Sequence, residues 1–353
     1  MSSKLKSGTL ALTALAAAVA FAAPAGAQQN LTAETASPGG VPHATITTLA
    51  ELASAAGIAN FQVAEGQTLT NSLQNLAQGK TDVAAVPLIL PFLLSRGAGP
   101  YGKLGKKKGA ELVKNTAALY TYTYGGYGLY AFDSSSVKGW KDIKGKTIVN
   151  GPPRGAALNI ARAIVRIATG YSDGKDYKGV QSNWGQMVKT ITDGTGDAMV
   201  LPITFPDTRI LRSLGSGSIT LWSVPKKAWD SKPMQRYLKA PGTAPWVIDL
   251  KTVKPIKGLT IVSEDGIFRS PGTAGAEMVQ TSMSFDLAKA LTKTAISNVK
   301  KFTSKAPYMA NIFIGEIDPA KTGMCGPVPV KYHPGAVAAW EEAGHKVPDC
   351  AKP

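Results

Sequence analysis

The residues whose types and spacing most clearly suggest chemistry are VNGPPRGAA, at positions 149–157. The pattern predicts a strand that runs through a Gly/Pro turn directly into a helix with small residues in its first turn. Free backbone N–H groups and the positive end of the helix dipole would meet there, which favours a carboxylate or a phosphate. Arg154 could add a bidentate guanidinium contact. An ordinary turn with a solvated arginine accounts for the motif about equally well when the motif is taken alone.

Two further segments contain residue types that suit a ligand site. In SPGGVPH, at positions 37–43, Gly39 and Gly40 would let the backbone approach a ligand closely, just ahead of a predicted helix. The tyrosines at positions 120, 122 and 124 alternate with threonine, as in a strand, and their rings and hydroxyl groups could line a cleft. Such a stripe is more often one packed face of a strand.

The motifs of the common enzyme classes are missing from the sequence. It contains no G-x-S-x-G, H-E-x-x-H, Walker A or G-x-G-x-x-G pattern, and its three histidines lie far apart. Three histidines and two cysteines leave little material for a His/Cys metal site. We therefore predict a protein that is not an enzyme and that needs no cofactor.

Composition limits the classes of protein that remain. Of the 353 residues, 44% are hydrophobic and 18% are charged, which excludes a disordered or fibrous chain and allows one large or two ordinary domains. Lys and Arg total 39 against 23 Asp and Glu, which gives a net charge of +16. Such a surface attracts anions, whether small acids, nucleic acid or anionic lipid.

The first 27 residues are typical of a secretory signal peptide. Lys4 and Lys6 precede an uncharged apolar stretch, and an Ala-Gly-Ala triplet at positions 25–27 offers a cleavage site. The alternative is an uncleaved membrane anchor, but the apolar stretch is short for a bilayer span. We predict export to the periplasm, which weakens the nucleic-acid interpretation of the basic charge.

Export also affects how the two cysteines are interpreted. Cys325 and Cys350 both lie in the predicted mature chain. In an oxidising compartment, an even pair most simply forms one disulfide. Two unpaired buried thiols are the alternative.

Helix and strand patterns alternate along the chain after a polar leader, which predicts an α/β fold. The predicted strands are residues 58–64, 82–87, 117–132 with a break at Gly125-Gly126, 147–149 and 197–203. The predicted helices are residues 46–56, 69–77, a segment containing Ile160 and Ile164, a segment containing Met187 and Ile191, and residues 285–302 and 334–344. The basic residues 97–109 are interpreted as a solvated loop. Two α/β sets followed by a helical segment suggest two lobes with a cleft between them.

The order of these segments resembles the TAXI family of solute receptors for TRAP transporters. The matching segments, spread over most of residues 37–345, are NSLQNLAQGKTDVAAV, WKDIKGKTIVNGPPRGAA, ITDGTGDAMVLPITFPDTRI and YHPGAVAAWEEAG. The resemblance implies a two-lobed type II periplasmic binding protein fold, α/β in class, whose lobes close on a small organic anion. It also implies that the loaded receptor delivers its ligand to a TRAP membrane permease.

The sequence departs from the family pattern at three pocket positions. Arg154 and Gly155 begin the segment that replaces Gly-Ser-Gly-Thr, so hydroxyl donors are lost and a guanidinium is gained. The aromatic pair that usually follows the first Gly-Gly is missing, and Pro87 replaces a glutamine. These changes argue against assuming that the ligand is glutamate.

We therefore predict a signal peptide over residues 1–27, lobe 1 from residues 28–122 and 276–353, and lobe 2 from residues 123–275. Residues 240–280 match the family poorly, so the position of the return crossing between the lobes is left open. The protein is expected to be a monomeric periplasmic receptor for a carboxylate-containing solute, without nucleic acid as a partner. The residues expected to face the ligand are Gly39, Gly40, His43, Pro87, Tyr124, Arg154, Gly155 and Phe205.

Among these residues the glycines would contribute backbone contacts, Arg154 the charge, and Tyr124 and Phe205 the apolar walls. Two other functions stay open at this point. One is an exported enzyme on the same architecture, which would need a base and a nucleophile that converge in space. The other is a sensor subunit that presents its ligand-bound form to a membrane kinase.

Overall fold

The computed structural model describes Met1, residues 28–153 and residues 156–353. Apart from Met1, the predicted signal peptide lies outside the described residues. The described part is a mixed α/β protein with two six-stranded sheets. Within it, no helix combines the length and the apolar character that crossing a membrane requires.

The regular elements alternate along most of the chain, as the sequence predicts. The strands are β1 (Gln29–Glu34), β2 (Ala59–Ala64), β3 (Val83–Pro87), β4 (Thr116–Thr123), β5 (Gly126–Phe132), β6 (Thr147–Val149), β7 (Lys178–Val180), β8 (Ala198–Ile203), β9 (Ile219–Trp222), β10 (Thr243–Asp249), β11 (Leu259–Val262) and β12 (Ile267–Gln280). The helices are α1 (Val41–Ala55), α2 (Leu69–Ala77), α3 (Ile89–Arg96), α4 (Gly105–Val113), α5 (Ala156–Thr169), α6 (Met187–Thr192), α7 (Thr208–Ser213), α8 (Lys226–Trp229), α9 (Lys232–Tyr237), α10 (Phe285–Ser297), α11 (Val299–Ser304), α12 (Pro319–Thr322) and α13 (Pro334–Glu342).

Both sheets combine parallel strands with an antiparallel strand. Sheet 1 has the order β10-β12-β3-β1-β2, with β4 also paired to β12, and sheet 2 has the order β11-β9-β5-β8-β6-β7. In sheet 1 the parallel strands β1, β2 and β3 meet the antiparallel β12, and in sheet 2 the parallel β6, β7 and β8 meet the antiparallel β5. In each sheet this antiparallel segment directly follows a crossing of the chain from the other sheet. The fold is therefore the two-lobed type II periplasmic binding protein fold that the sequence predicts.

Two chain crossings run side by side between the sheets. The outgoing crossing passes through Tyr124 and Gly125, and the return crossing lies inside β12, which pairs with β10 up to Thr273 and with β4 from Ala274 onward. The Tyr124 N–H donates to Thr273 O at 2.8 Å, and the Thr273 N–H donates to Gly125 O at 3.1 Å. The return crossing that the sequence leaves open is thus located, whereas the exact lobe boundaries stay a prediction.

The hydrophobic core is divided in the same way as the sheets. One cluster joins the N-terminal and C-terminal parts of the chain, with Leu49, Val86 and Trp340 fully buried. Two further clusters are formed almost entirely by residues between Tyr127 and Phe268. Complete burial of a large aliphatic side chain such as Leu49 contributes about 1.5–3 kcal/mol.

The C-terminal segment is fastened by the disulfide that the sequence predicts. Cys325 and Cys350 are joined, with an S–S distance of 2.08 Å. Close by, the Tyr332 N–H donates to Ala351 O at 2.9 Å. A disulfide that closes a loop of this size contributes about 3 kcal/mol in the chain-entropy model.

Three local predictions are wrong. The polar leader contains β1, in which Leu31 and Ala33 are buried. The basic segment at residues 97–109 is not a loop, because α4 packs so closely on α3 that a Cβ on Gly109 would lie 1.9 Å from Leu94 O. The long C-terminal helix is divided at Asn298 into α10 and α11.

Candidate functional site

The candidate site lies where the loops that follow parallel strands of the two sheets approach each other. In open α/β sheets, ligands bind beside the carboxyl ends of the parallel strands. In sheet 1 the loop after β1 contains Gly39, and in sheet 2 the loop after β8 leads into α7 at Thr208. A Cβ on Gly39 would lie 3.5 Å from Thr208 Cγ2. The two edges therefore approach each other at this point, and the residues around it are the candidates for a ligand site.

On the sheet 1 side, the site begins with the N-terminus of α1. Gly39 has a φ of +87°, and Gly40 is the N-cap residue, with no side chain that caps the helix. α1 has fifteen residues, so the positive end of a full-length helix dipole is located here. The arrangement leaves first-turn N–H groups without a side-chain partner, which suits an anion.

His43, in the same helix turn, is tied to a neighbouring loop. Its Nε2 lies 2.6 Å from Glu65 Oε1, on the loop that follows β2. The side chains are 18% and 47% exposed, respectively. His43 therefore has a protein partner at the rim of the site, and it holds the start of α1 against the β2 loop.

Pro87 and Tyr124 lie on either side of β12. Pro87 ends β3, is buried, and pairs with Gly275. The Tyr124 ring covers Gly275 so closely that a Cβ there would lie 2.2 Å from Tyr124 Cε1. The ring also stacks on Tyr122, with 5.4 Å between centroids. Glycine at position 275 is therefore what allows Tyr124 to lie flat over the strand.

Directly behind Tyr124 lies a fully buried carboxyl group. Glu277 Oε1 accepts hydrogen bonds from the Tyr122 hydroxyl at 2.6 Å and from Thr45 Oγ1 of α1 at 3.1 Å. Burial raises the pKa of Glu277 to about 7, although its two hydrogen bonds act in the opposite direction. Because its side chain is 0% exposed, water does not stabilise a negative charge here.

The same cluster contains polar atoms without partners. Glu277 Oε2 and the hydroxyl groups of Tyr120, Tyr124 and Thr48 are buried and have no hydrogen-bond partner. An unsatisfied buried polar atom costs about 1–3 kcal/mol. Such atoms are rare in native proteins, so a group of them beside a candidate cleft calls for a physical explanation.

On the sheet 2 side, the strand-to-helix motif is anchored by a buried asparagine. Asn150 is 0% exposed, donates through Nδ2 to Asp173 Oδ2 at 3.1 Å and accepts from Gln181 Nε2 at 3.0 Å. Gly151 follows with a φ of +112°. Arg154 and Gly155, which the sequence predicts to face the ligand, lie outside the described residues.

A second arginine lies at the start of α7. Arg209 donates from Nη2 to Asp207 Oδ2 at 2.8 Å and to Pro202 O, while its Nε is buried without a partner. Burial alone would lower the pKa of Arg209, but the Asp207 carboxylate outweighs that effect and the pKa is raised further above its ordinary range. The guanidinium is therefore a permanent cation that still has a donor to offer.

Aromatic side chains surround this guanidinium. The Arg209 carbon Cζ lies 5.2 Å from the centroid of the Trp184 ring, and Trp184 is 38% exposed on the loop after β7. The Tyr130 hydroxyl is buried beside the guanidinium, which acts to lower the Tyr130 pKa against the larger, opposite effect of burial. A cation between an exposed indole and a buried hydroxyl group is suited to orienting a small anion.

Phe205 lies deeper than the sequence analysis expects of a cleft wall. It is 4% exposed and stacks on Trp246 at 5.1 Å and against Phe268 at 5.0 Å. The ring is part of a core cluster of sheet 2. Its nearest role in the site is to support the loop that leads to Asp207.

Sequence reasoning brings Gly39, Gly40 and Tyr124 to one region but misses Glu277 and Arg209. Arg209 lies in the segment ITFPDTRI, which stands out by its family resemblance and not by its charge. A signal for Glu277 is the presence of one acid inside the otherwise uncharged segment PGTAGAEMVQ, since charged residues are seldom buried without a reason.

A family model described as the NMT1-like family matches residues 34–344. The chain belongs to the NMT1-like family. The match contains the loop before α1, both crossings and every described site residue named above. No curated protein matches this sequence.

The solved structures that resemble this NMT1-like chain include solute-binding proteins. DctP7, an extracytoplasmic solute receptor from Bordetella pertussis that binds pyroglutamic acid, has 11% identity and a TM-score of 0.45 over 90% of this chain and 93% of that one. A TRAP periplasmic solute-binding protein from Rhodobacter sphaeroides has 15% identity and a TM-score of 0.44 over 89% and 93%. The periplasmic aliphatic sulphonate-binding protein SsuA from Escherichia coli has 13% identity and a TM-score of 0.39 over 54% and 58%, so the match spans little more than half of SsuA.

Proposed function

We propose that this protein is an extracytoplasmic solute receptor that captures a small organic anion between its lobes and releases it to a TRAP membrane permease. One observation carries the proposal: an uncapped α1 N-terminus and the Arg209 guanidinium lie on the two edges that meet at Gly39 and Thr208. Neither group alone distinguishes a ligand site from an ordinary helix start or a structural ion pair. Together they supply donors and positive charge from both sides of one cleft.

A carboxylate is the anion that these groups suit best. Backbone N–H groups at a helix start and a guanidinium both hydrogen-bond to carboxylate oxygens, and both interactions strengthen when closure removes water. The net charge of +16, of which the predicted signal peptide contributes only Lys4 and Lys6, favours capture of anions. The proposal keeps the TAXI type and the periplasmic location with a cleaved signal peptide at residues 1–27. It also keeps a monomer that returns its ligand unaltered.

The proposed ligand contacts come partly from the sequence analysis and partly from the structure. Sequence reasoning contributes Gly39, Gly40, Pro87 and Tyr124 from lobe 1 and Arg154, Gly155 and Phe205 from lobe 2. His43 borders the site through its contact with Glu65. Arg209 is added because it directly follows Thr208, which approaches Gly39, and because its buried Nε has no partner.

The charge assignment is tested with arginine variants. Arg209→Ala is expected to weaken carboxylate binding about tenfold or more, because a charge-assisted hydrogen bond is lost. Arg154→Ala is the parallel variant for the residue that the sequence predicts. The measurement is isothermal titration calorimetry with the tightest-binding acid from a panel of small carboxylates.

Arg212→Ala is the matched control, since this exposed arginine lies one turn along α7. Its affinity should stay at the wild-type value. Arg209→Lys, which keeps the charge but not the planar donor set, should fall between wild type and Arg209→Ala. Unchanged affinity in Arg209→Ala, with the fold intact by circular dichroism, would remove this residue from the site.

A further inference from the structure

Five basic side chains are grouped where α3, the 3₁₀-helix that follows it and α4 meet. All five are exposed, and together they form the basic patch: Arg96, Lys103, Lys106, Lys107 and Lys108. The end of α3 lies against the start of α4, because a Cβ on Gly97 would lie 2.5 Å from Lys106 N. Lys103 belongs to the 3₁₀-helix Gly99–Leu104 that connects them. The five cations therefore come from three short elements but project from one junction.

Acidic side chains compensate little of this charge. Residues 96–114 contain six Lys and Arg and one acid, Glu111. Glu111 pairs with Lys108 at 3.2 Å, and the other four cations of the basic patch take part in no ion pair among the described residues. The neighbouring helix α2, which packs against α3 and α4, has no charged residue. The basic patch therefore keeps most of its positive charge.

The position of the three consecutive lysines opposes the stability of α4. Lys106, Lys107 and Lys108 lie in the first turn of this nine-residue helix, and that turn contains no acid. Cations at a helix N-terminus are unfavourable because the positive end of the helix dipole lies there. The arrangement therefore costs stability, and an anionic partner that binds these lysines would account for it.

The chemistry of the basic patch fits an extended anionic surface better than an acidic protein. Four of its five cations are lysines, which are compact point charges on flexible stems and lack the planar donor set of arginine. Protein interfaces are depleted in lysine and enriched in aromatic residues, whereas Tyr101, the aromatic residue of this junction, is 2% exposed. The exposed large hydrophobic side chains of the described residues all lie elsewhere. A cluster of lysines without an apolar anchor suits the headgroups of anionic lipids.

The basic patch borders the edge of sheet 1 that bears the candidate site. The Tyr101 hydroxyl, in the connecting 3₁₀-helix, donates to Thr70 O at 2.9 Å in the first turn of α2. Because α2 follows the parallel strand β2, its first turn lies at the carboxyl edge of the sheet, as does the loop after β1. A surface in contact with the basic patch would therefore be close to this edge.

We propose that the basic patch attaches the protein peripherally to a membrane surface that contains anionic lipid. The lysines lie against the lipid phosphates and no apolar side chain inserts, so the attachment is reversible and is weakened by salt. It holds the edge that bears the candidate site near the bilayer, where the proposed permease is located. The attachment goes beyond the proposed function and does not depend on it, because contact with lipid requires no solute.

Vesicle sedimentation tests this attachment. The exported protein is used, with its N-terminus checked by mass spectrometry, since a retained apolar leader would itself bind lipid. Vesicles of phosphatidylcholine alone are compared with vesicles in which about a third of the lipid is phosphatidylglycerol. At low salt the partition coefficient should be at least about tenfold higher for the anionic vesicles, and the difference should vanish near about 0.5 M salt.

The decisive variant combines three substitutions in the basic patch: Lys103→Ala, Lys106→Ala and Lys107→Ala. Its partition onto anionic vesicles should fall at least about tenfold, since each lysine near such a surface contributes about a factor of five. The matched control removes the same charge from three exposed lysines between β10 and β11, by Lys251→Ala, Lys254→Ala and Lys257→Ala. Its partition should stay within about threefold of the wild-type value.

Several results would overturn the proposal. One is a wild-type protein that does not bind anionic vesicles, and another is equal binding to neutral and anionic vesicles. Equal losses in the two combined variants would assign the attraction to net charge and not to the basic patch. Retention on immobilised polyglutamate without vesicle binding would identify an acidic polypeptide as the partner and would overturn the proposal as well. Each of these results leaves the proposed function standing, because that function is tested by solute binding.

Discussion

At the scale of single residues, two buried ionisable side chains differ in whether the protein compensates their charge. Arg209 lies beside Asp207, so its charge is compensated within the protein. Glu277 has only hydroxyl groups as partners, so its charge is not compensated. The pKa values of both groups are raised, so the first residue stays ionised at any physiological pH, whereas the second can change its protonation state near neutrality.

The pH dependence of stability follows from this difference. The pKa of Glu277 is raised from 4.5 to about 7 by burial. Between these values the unfolded chain releases a proton that the native protein keeps. The contribution of this group to the free energy of unfolding should therefore be highest below about pH 4.5 and fall by roughly 3 kcal/mol as the pH rises to about 7, with no further loss above it.

Urea unfolding of wild type and Glu277→Gln at several pH values between 4 and 8 measures this effect. The amide of the Glu277→Gln variant does not titrate, so the difference between the two proteins should change with pH in the stated window. Parallel stability curves for the two proteins would show that the native pKa is not raised.

At the scale of elements, the crossing at Gly125 sets how the two sheets can be placed. Gly125 has a φ of +92°, and a Cβ there would lie 2.0 Å from Ile203 O. Gly125→Ala should therefore lower the free energy of unfolding by about 2 kcal/mol or more, since both backbone strain and a backbone clash are introduced. Thermal and urea unfolding measure the change.

Gly102→Ala is the control for that substitution. Gly102 has no positive φ, and a Cβ there would contact nothing within 4 Å. The control should change stability by less than about 0.5 kcal/mol. If Gly125→Ala were as mild as this control, the crossing would be far more adaptable than its geometry indicates.

The elements that the sequence predicts well are those whose local pattern and packing agree. α2 matches its predicted bounds, and β6 does also, because helical spacing or a short buried run is bounded by clear stop signals. β1 escapes prediction because only Leu31 and Ala33 are buried among polar neighbours. α4 escapes prediction because its lysines suggest a solvated loop, and what holds it is the close approach of Gly109 to α3.

The candidate site, like the fold, can be predicted from the sequence only where the signal is local. The glycine pair at positions 39 and 40 is visible in the sequence because two adjacent glycines just ahead of a predicted helix indicate a close approach of the backbone. The Glu277 cluster is not visible, since Thr45 is 232 residues away from Glu277 and Tyr122 is 155 residues away. Only the strand order of sheet 1 brings these three residues together.

At the scale of the whole molecule, positive charge is concentrated in one part of the chain. Residues 123–275 contain 21 Lys and Arg against 11 Asp and Glu, which is most of the excess in the whole sequence. This part contains all of sheet 2, the strand β10 of sheet 1 and Arg209. A strongly basic segment raises the local concentration of small anions around the protein.

The measurement that tests the central claim most directly is native mass spectrometry of the protein purified without denaturant, followed by denaturation and identification of any released small molecule. The account predicts one bound organic acid in a ratio close to one per chain, released on unfolding. A protein without a bound molecule that also shows no thermal shift across a panel of small carboxylates would contradict it.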